Sequence, residues 1–268
     1  MPEYACGGIT MLVSVIMPTF NCGHYIAKSI DSVIAQTVTD WELCIVDDCS
    51  SDNTQAVLQP YIEKYPNIRY TRLAKNGGPA VARTEALRQA TGKYVAFLDS
   101  DDLWTPDKLE KQIAFMEKND ILFSCTAFRH IDEVGELQDI VRIPPKKTNY
   151  NKMLYMSNPT GNLTVMYNRE VLGDYEVPTI KKRNDFALWL RILRDVPYCY
   201  GMSEILAYYR VRSNSVTTSS SKLQLVKYHW SLYREHEKLP LWKCVIATAT
   251  CLIVKAAKVG WTSIQKLK

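Results

Sequence analysis

The sequence predicts an α/β fold: a mostly parallel central sheet flanked by helices, with a helical C-terminal extension. Short β-branched apolar runs alternate with amphipathic helical patterns through the first half, the mark of βαβ units. Polar loops rich in carboxylates follow those runs at their C-terminal ends. The composition, 47% hydrophobic and 23% charged over 268 residues, is that of a soluble globular chain with ample material for a core. Such a length suits one large domain, or one domain with an appendage.

Each element has its own signal. LVSVIMP (12–18) is a β-branched run suited to a strand buried on both faces. A helix follows near 24–36, with Ile26, Ile30, Val33 and Ile34 on one stripe. WELCIVDD (41–48) is the second strand. Asp52 can cap a helix carrying Leu58, Tyr61, Ile62 and Tyr65, and Pro60 inside that pattern predicts a kink or a late start. IRYTRL (68–73) is the third strand. A helix runs from Pro79 to Ala90, with Pro79 suited to its first turn. KYVAFLD (93–99) is the fourth strand. Thr105-Pro106 then opens a helix with Leu109, Ile113 and Met116 on one face.

The second half is less regular. ILFSCTAF (121–128) and TVMYN (164–168) read as strands. Asp185 precedes a helix with Phe186, Trp189, Leu190 and Leu193 inward. Residues 198–200 and 205–211 read as extended. Helices are predicted over 222–237 and 241–258, and SNSVTTSSS (213–221) reads as a linker.

Formal net charge is +5, too weak to imply nucleic acid. Its distribution is uneven. Residues 200–268 hold 11 Lys and Arg against 3 Asp and Glu, a net +8, and the first 199 residues carry −3. A basic C-terminal quarter suggests an anionic partner there, such as a membrane surface. On a helical wheel over 241–258, Trp242, Val245, Ile246, Ala249, Leu252, Ile253 and Ala256 share one face, opposite Lys243, Lys255 and Lys258. Such a helix can lie in a lipid interface; the plainer alternative is a helix docked by that face on its own domain. Residues 1–10 lack the basic and apolar regions of a signal peptide. No stretch reaches the ~18 apolar residues of a spanning helix. The eight cysteines, Cys6, Cys22, Cys44, Cys49, Cys125, Cys199, Cys244 and Cys251, form no C-x-x-C pair. That argues against zinc and for reduced thiols, with Cys44 and Cys199 as small core residues.

Ligands of parallel sheets bind beyond the carboxyl ends of the strands. This gathers the loops 18–23, 47–52, 74–78 and 99–104 around one crevice. LDSDD puts Asp99, Asp101 and Asp102 directly after a buried strand. Unpaired, these carboxylates would repel, and a hard divalent cation would relieve them while holding substrate phosphates; the plainer alternative is an Asp-rich turn. VDDCSSDNT (46–54) offers a carboxylate that can accept from a base or ribose. In MPTFN (17–21), Phe20 could lie against a flat ring. In AKNGGPAVAR (74–83), Gly77 and Gly78 let backbone N–H groups approach a ligand, and Arg83 adds a charge.

SVIMPTFN, WELCIVDDCSSDNT, NGGPAVARTEAL and GKYVAFLDSDDLWTPDKLEKQI, in this order over residues 13–113, resemble the nucleotide-sugar glycosyltransferases of family 2, which have a GT-A fold. RNDFALWLRIL (183–193) is similar to the family segment that supplies the catalytic base. AYYRVRSNSVT (207–217) is similar to its C-terminal segment. Bacterial enzymes building surface polysaccharides, including teichuronic-acid types, are the subgroup it resembles.

The resemblance implies a GT-A domain over 12–212, with a nucleotide-binding half (12–104) and an acceptor half (105–212). A short N-terminal extension (1–11) precedes it, and a linker and basic helical region (213–268) follow. It implies that Pro18, Thr19, Phe20 and Asp48 hold base and ribose, with Asp48 contacting uracil if the nucleotide is uridine. Gly77, Gly78 and Arg83 would lie near nucleotide and sugar. Asp99, Ser100, Asp101 and Asp102 would hold ribose, diphosphate and a metal, Mn²⁺ or Mg²⁺, with Asp101 and Asp102 as its ligands. Asp185 would be the general base of an inverting displacement, at a helix start whose dipole favours an ionised carboxylate. Two positions depart from the family pattern: Asn184 stands where Glu is frequent, and Arg212 where His is frequent. The implied function is transfer from a nucleoside-diphosphate sugar, a UDP-sugar above others, to a glycan or polyprenyl-linked acceptor. The protein would work in the cytoplasm, at the inner face of the cell membrane. A sugar nucleotidyltransferase would open with a glycine-rich, Arg-containing loop where this chain has PTFNCGHY. A non-catalytic nucleotide-binding module would have no need of Asp101, Asp102 and Asp185.

Overall fold

The computed structural model describes residues 11–156, 158–180, 182–212, 222–256 and 263–266. Strand β1 (Val13–Thr19) leads to helix α1 (Ile26–Ile34), β2 (Trp41–Asp47), α2 (Thr54–Lys64), β3 (Ile68–Arg72), α3 (Pro79–Arg88) and β4 (Tyr94–Phe97). These are the four expected βα units, and their strands pair in parallel in the order β3-β2-β1-β4. The period-2 pattern works on both faces at once. Val15, Met17, Leu43 and Ile45 pack with α1 on one side, while Ile16, Cys44, Val46 and Phe97 pack with α3 on the other. Helix α2 runs through Pro60 without the late start. Ala56 and Pro60 both face solvent, where water can take the carbonyl that proline cannot bond.

The second half adds β5 (Leu103–Trp104), α4 (Lys108–Lys118), β6 (Phe123–Ile131), β7 (Leu137–Ile143), β8 (Lys147–Thr148), α5 (Tyr150–Met156), β9 (Met166–Asn168), α6 (Arg169–Leu172) and α7 (Asn184–Asp195). It ends with β10 (Cys199–Arg210), α8 (Lys222–Ser231), a π turn, α9 (Leu241–Ala256) and β11 (Ser263–Lys266). Strand β9 inserts antiparallel between β4 and β6, and β7 and β11 continue antiparallel beyond them. The sheet is therefore mixed, parallel through its first half and largely antiparallel through its second. The two extended segments expected at 198–200 and 205–211 are one strand, β10, whose register with β6 shifts around Ile205, as at a bulge. The linker expected at 213–221 lies outside the described residues.

Helix α7 is apolar nearly all round, with Phe186, Leu188, Trp189, Leu190 and Ile192 all buried. Such a helix needs cover on every side. The sheet supplies one side, where Trp189 meets Phe97 edge-on at 5.0 Å between centroids. The C-terminal helices join the same core through Tyr233, Cys244 and Ala247. The seven cysteines described are free thiols, and Cys44 and Cys199 are buried as expected. Cys6 lies outside the described residues.

Candidate active site

Parallel pairing brings the ends of β1, β2 and β4 to one edge, and a cavity of about 830 Å³ opens there. Pro18, Thr19, Phe20, Asp48, Gly77, Gly78, Arg83, Asp99, Ser100, Asp101 and Arg212 all line it. The four expected loops do converge. Its size suits a nucleotide sugar, since ligand pockets span roughly 300–1,000 Å³. The strand order sets its ends: Asp48 follows β2, Phe20 follows β1, and Asp99–Asp101 follow β4. Phe20 is 49% exposed at this edge, a free aromatic face. The Thr19 hydroxyl is buried and has no partner among the described residues.

The carboxylate pair after β2 divides its work. Asp47 accepts from Ser50 N–H and hydroxyl and from the Tyr70 hydroxyl, a structural assignment. Asp48 turns to the cavity and accepts from Gly77 N–H at 2.6 Å and Gly78 N–H at 2.8 Å. This corrects the expectation that those amides are free for a ligand: Asp48 holds them. Gly78 has φ +85°, a backbone that L side chains rarely adopt. Asn76 braces the same loop through Nδ2 to the Asp48 carbonyl at 3.1 Å.

Arg83 joins the two halves. Its Nη2 donates to Asp99 Oδ1 and its Nη1 to Asn184 Oδ1, both at 2.6 Å. Asn162 adds a bond to Asp99 Oδ1 at 3.0 Å. Burial works against the Arg83 charge, but Asp99 and Asp185 outweigh it and hold its pKa above the ordinary value. Asn184, where the family often has Glu, is thus a buried support for Arg83. Asp185 lies inside the first turn of α7 rather than before it, because the N-cap is Arg183, at φ 65°. It is half-buried and is not among the residues lining the cavity.

The acidic triplet is already partnered. Asp99 bonds Arg83, and Asp101 Oδ2 accepts from Arg212 Nη1 at 3.2 Å. Asp102 Oδ1 accepts from the Arg210 backbone N–H at 2.9 Å. The expected unpaired repulsion is therefore offset by three arginines, though not cancelled. Burial and the neighbouring carboxylates push Asp102 well above the usual carboxylate range, and Asp101 is raised by the same causes. Asp102 sits behind the cavity wall, 1% exposed. Among the described residues no group of three His, Cys, Asp or Glu side chains could hold a metal. Two adjacent carboxylates nevertheless fit a hard cation of the Mg²⁺ type, which takes one or two protein carboxylates and completes its shell with substrate phosphates. An ionised carboxylate has about four acceptor sites, so the bonds named leave Asp101 and Asp102 capacity for a cation.

Sequence reading missed Tyr25, Cys22, Thr179 and Ile180. Cys22, Thr179 and Ile180 line the cavity, and the Tyr25 ring carries both Arg210 and Arg212 at about 5 Å. The stretch around Thr179 has no element and no motif to flag it.

The model of glycosyl transferase family 2 matches residues 14–175. A Bacillus subtilis (strain 168) protein named as a candidate teichuronic acid biosynthesis glycosyltransferase, TuaG, is 42% identical over 92% of this chain and 95% of its own length. The Escherichia coli UDP-Glc:alpha-D-GlcNAc-diphosphoundecaprenol beta-1,3-glucosyltransferase WfgD is 38% identical over 86% of this chain and 88% of its own. Among solved structures, S. aureus TarS 1–349 with UDP-GlcNAc superposes with a TM-score of 0.70 at 23% identity, covering 92% of this chain and 73% of that one. A mannosyltransferase of Pyrobaculum calidifontis in complex with GDP-Man and Mn²⁺ gives 0.61 at 16% identity, covering 94% and 76%. At these identities the structural likeness is one of fold.

Proposed function

The chain belongs to glycosyl transferase family 2 and has a GT-A fold, and within that family we propose that it is an inverting transferase. It moves a sugar from a nucleoside-diphosphate sugar to a hydroxyl of a glycan or polyprenyl-linked glycan, in cell-surface polysaccharide synthesis. The cavity itself carries this reading. An aromatic and a carboxylate, Phe20 and Asp48, stand at the β1–β2 side, and Arg83, Asp99, Asp101 and Arg212 at the β4 side. The first pair suits a base, the second group a diphosphate. The partnerless Thr19 hydroxyl supports a ligand between them. The names of the relatives support a UDP-sugar and a diphosphoundecaprenol-linked acceptor.

In this reading Phe20 stacks on the base and Asp48 accepts from it while bracing the glycine loop. Arg83 and Arg212 face the diphosphate. Asp185 takes the proton of the acceptor hydroxyl as its oxygen attacks the anomeric carbon, and the nucleoside diphosphate leaves. A divalent cation, when bound through Asp101 and Asp102, supplies charge stabilisation for that leaving group. The test is a titration of UDP, GDP, CDP and dTDP with Mn²⁺ present, followed by donor turnover on adding a polyprenyl-diphosphate glycan. UDP is expected to bind most tightly and to be released on turnover. No binding of any nucleoside diphosphate would end the reading.

Helix α9 supports contact with the membrane that would carry such an acceptor, on the cytoplasmic face. No helix among the described residues is long and apolar enough to cross a membrane. Yet α9 docks through its small residues Cys244, Ala247, Thr248 and Cys251, and leaves Trp242 and Ile253 60% and 65% exposed, with Val245, Ile246 and Leu252 beside them. The apolar face predicted from the wheel is thus turned outward, not onto the domain. Ammonium Nζ of Lys243 lies 5.3 Å from the Trp242 ring, a basic rim suited to anionic headgroups. Changing Trp242, Ile246 and Ile253 together to Ser is expected to lower the fraction pelleted with anionic liposomes several-fold and leave Tm unchanged. Equal pelleting would count against the contact.

A further inference from the structure

Two arginines lie over one face-giving ring. The guanidinium carbons of Arg210 and Arg212 are 5.1 and 5.0 Å from the centroid of Tyr25. Their situations differ. Arg210 is buried and locked: Nε donates to the Asp101 carbonyl at 2.8 Å, and Nη1 donates to the Asp132 and Glu133 carbonyls at 3.0 Å. The Arg212 side chain is 34% exposed, and among the described residues its hydrogen bond is a single one, Nη1 to Asp101 Oδ2 at 3.2 Å. It also lines the cavity.

Asp101 is at once the cavity-facing carboxylate of the candidate cation site and the partner of Arg212. A guanidinium has no acceptor and cannot ligate a metal. Arg212 can therefore act here through an anion or the Tyr25 ring, not by ligating the cation. A part-exposed ion pair held by a single hydrogen bond is a weak contact. A diphosphate offers the same guanidinium a two-pronged, charge-assisted contact, which is stronger. We propose that Arg212 and the divalent cation compete for Asp101: in the nucleotide-free protein Arg212 occupies the carboxylate, and the donor diphosphate draws the guanidinium onto itself and opens Asp101 to the cation. This rests on the donor reading of the cavity.

The local charges agree. Asp99 and Asp101 pair with the Arg83 and Arg212 guanidinium groups and Asp102 accepts from the Arg210 backbone N–H, so a cation arriving alone meets carboxylates that are already partly neutralised. The diphosphate brings the negative charge that makes room for it. Cation and nucleotide then bind as a unit, each tightening the other by the same factor. Tyr25 lies under Arg212 in its present position, and the ring's other neighbour, Arg210, is fixed by its carbonyl bonds.

The experiment titrates Mn²⁺ into the nucleotide-free full chain, following free Mn²⁺ by its EPR signal, for wild type, Arg212→Ala and Arg212→Gln. The same titrations are repeated with saturating UDP, and circular dichroism checks that each variant is folded. Without nucleotide, both variants are expected to bind Mn²⁺ at least about fivefold tighter than wild type, the lower end of ordinary coupling between sites. The factor by which UDP tightens Mn²⁺ binding should shrink to match. Mn²⁺ binding that is unchanged, weaker, or unmeasurable in all three proteins without nucleotide overturns the competition, while UDP binding by the wild type keeps the donor reading standing. If wild type fails to bind UDP even with Mn²⁺, the donor reading falls and the competition falls with it.

Discussion

Replacing Asp102 by Asn is expected to cut turnover by about 100-fold or more and, in metal-free buffer, to raise the thermal stability of the same protein. The two effects have one source. Asp102 is buried and faces the charges of Asp101 and Asp99, which together with desolvation push its carboxyl well above the usual range. A carboxyl whose folded pKa is raised binds its proton more tightly in the folded state. Stability therefore falls as pH rises from the ordinary carboxyl value through the raised one. At neutral pH the native protein bears that cost, and a bound cation would offset it. Asn removes the charge yet keeps an oxygen for the Arg210 N–H, which Asp102 Oδ1 now accepts at 2.9 Å. Ala would orphan that amide and confuse the test. A gain of about 1 kcal/mol would raise Tm by about 2–4 °C in a chain of this size. Turnover should fall if, as proposed, Asp102 holds a cation, since a cation at the leaving group can stabilise it by several kcal/mol. A purely structural Asp102 predicts lower Tm and retained turnover, so melting curves in EDTA beside donor kinetics in Mn²⁺ separate the two.

Most of the N-terminal half was legible because its physics is local. Strands β1, β2 and β4 are short apolar runs whose alternate residues feed two cores, while β3 buries only Ile68, and each ends in a loop whose polar residues gather at the sheet edge. Ile16 and Val15 illustrate this, adjacent in sequence and in opposite cores. The second half was less legible because its strands owe their existence to partners. Strand β7, LQDIVRI, is apolar at Leu137, Ile140, Val141 and Ile143 but without clean alternation, and it buries only Val141, so it forms as the antiparallel neighbour of β6. Strand β9 is three residues long and is held between β4 and β6. In the candidate site, residue types pointed to loops that meet at one cavity, but pairings were invisible. That Asp48 spends its oxygens on Gly77 and Gly78, and that Asn184 supports Arg83, depends on contacts 29, 30 and 101 residues apart. No spacing rule reaches that far. The apolar face of α9 is turned outward because Cys244 and Ala247, small enough to dock, hold the opposite side; the Lys255 and Lys258 side chains expected on that opposite side lie outside the described residues.

Replacing Asp185 by Asn is expected to lower kcat by about 10²–10⁴-fold with donor binding and Tm nearly unchanged. The geometry sharpens why. Asp185 is the second residue of α7, after an Arg183 N-cap in the left-handed region with no side-chain cap bond. It is not the capping residue, so the variant loses a charge in the first turn, worth about 0.3–1 kcal/mol, and part of the negative charge beside Arg83, which Asp99 still supplies through its ion pair. The preceding residue, Asn184, fixes the helix start to Arg83, and Arg83 fixes it to Asp99 on the cavity wall. The first turn of α7 is thereby tied to the cavity wall proposed to face the diphosphate, near which a base would have to stand to meet an acceptor at the anomeric carbon. Asn has the size of Asp and cannot take a proton at neutral pH, so the variant keeps the shape and loses the chemistry. Asn184→Ala is the control, since losing the support for Arg83 should raise the donor KM as well as lower kcat. An Asp185→Asn protein that keeps more than about a tenth of wild-type kcat, where general-base help is worth at least about 10², would remove Asp185 from the reaction and leave the proton to another acceptor.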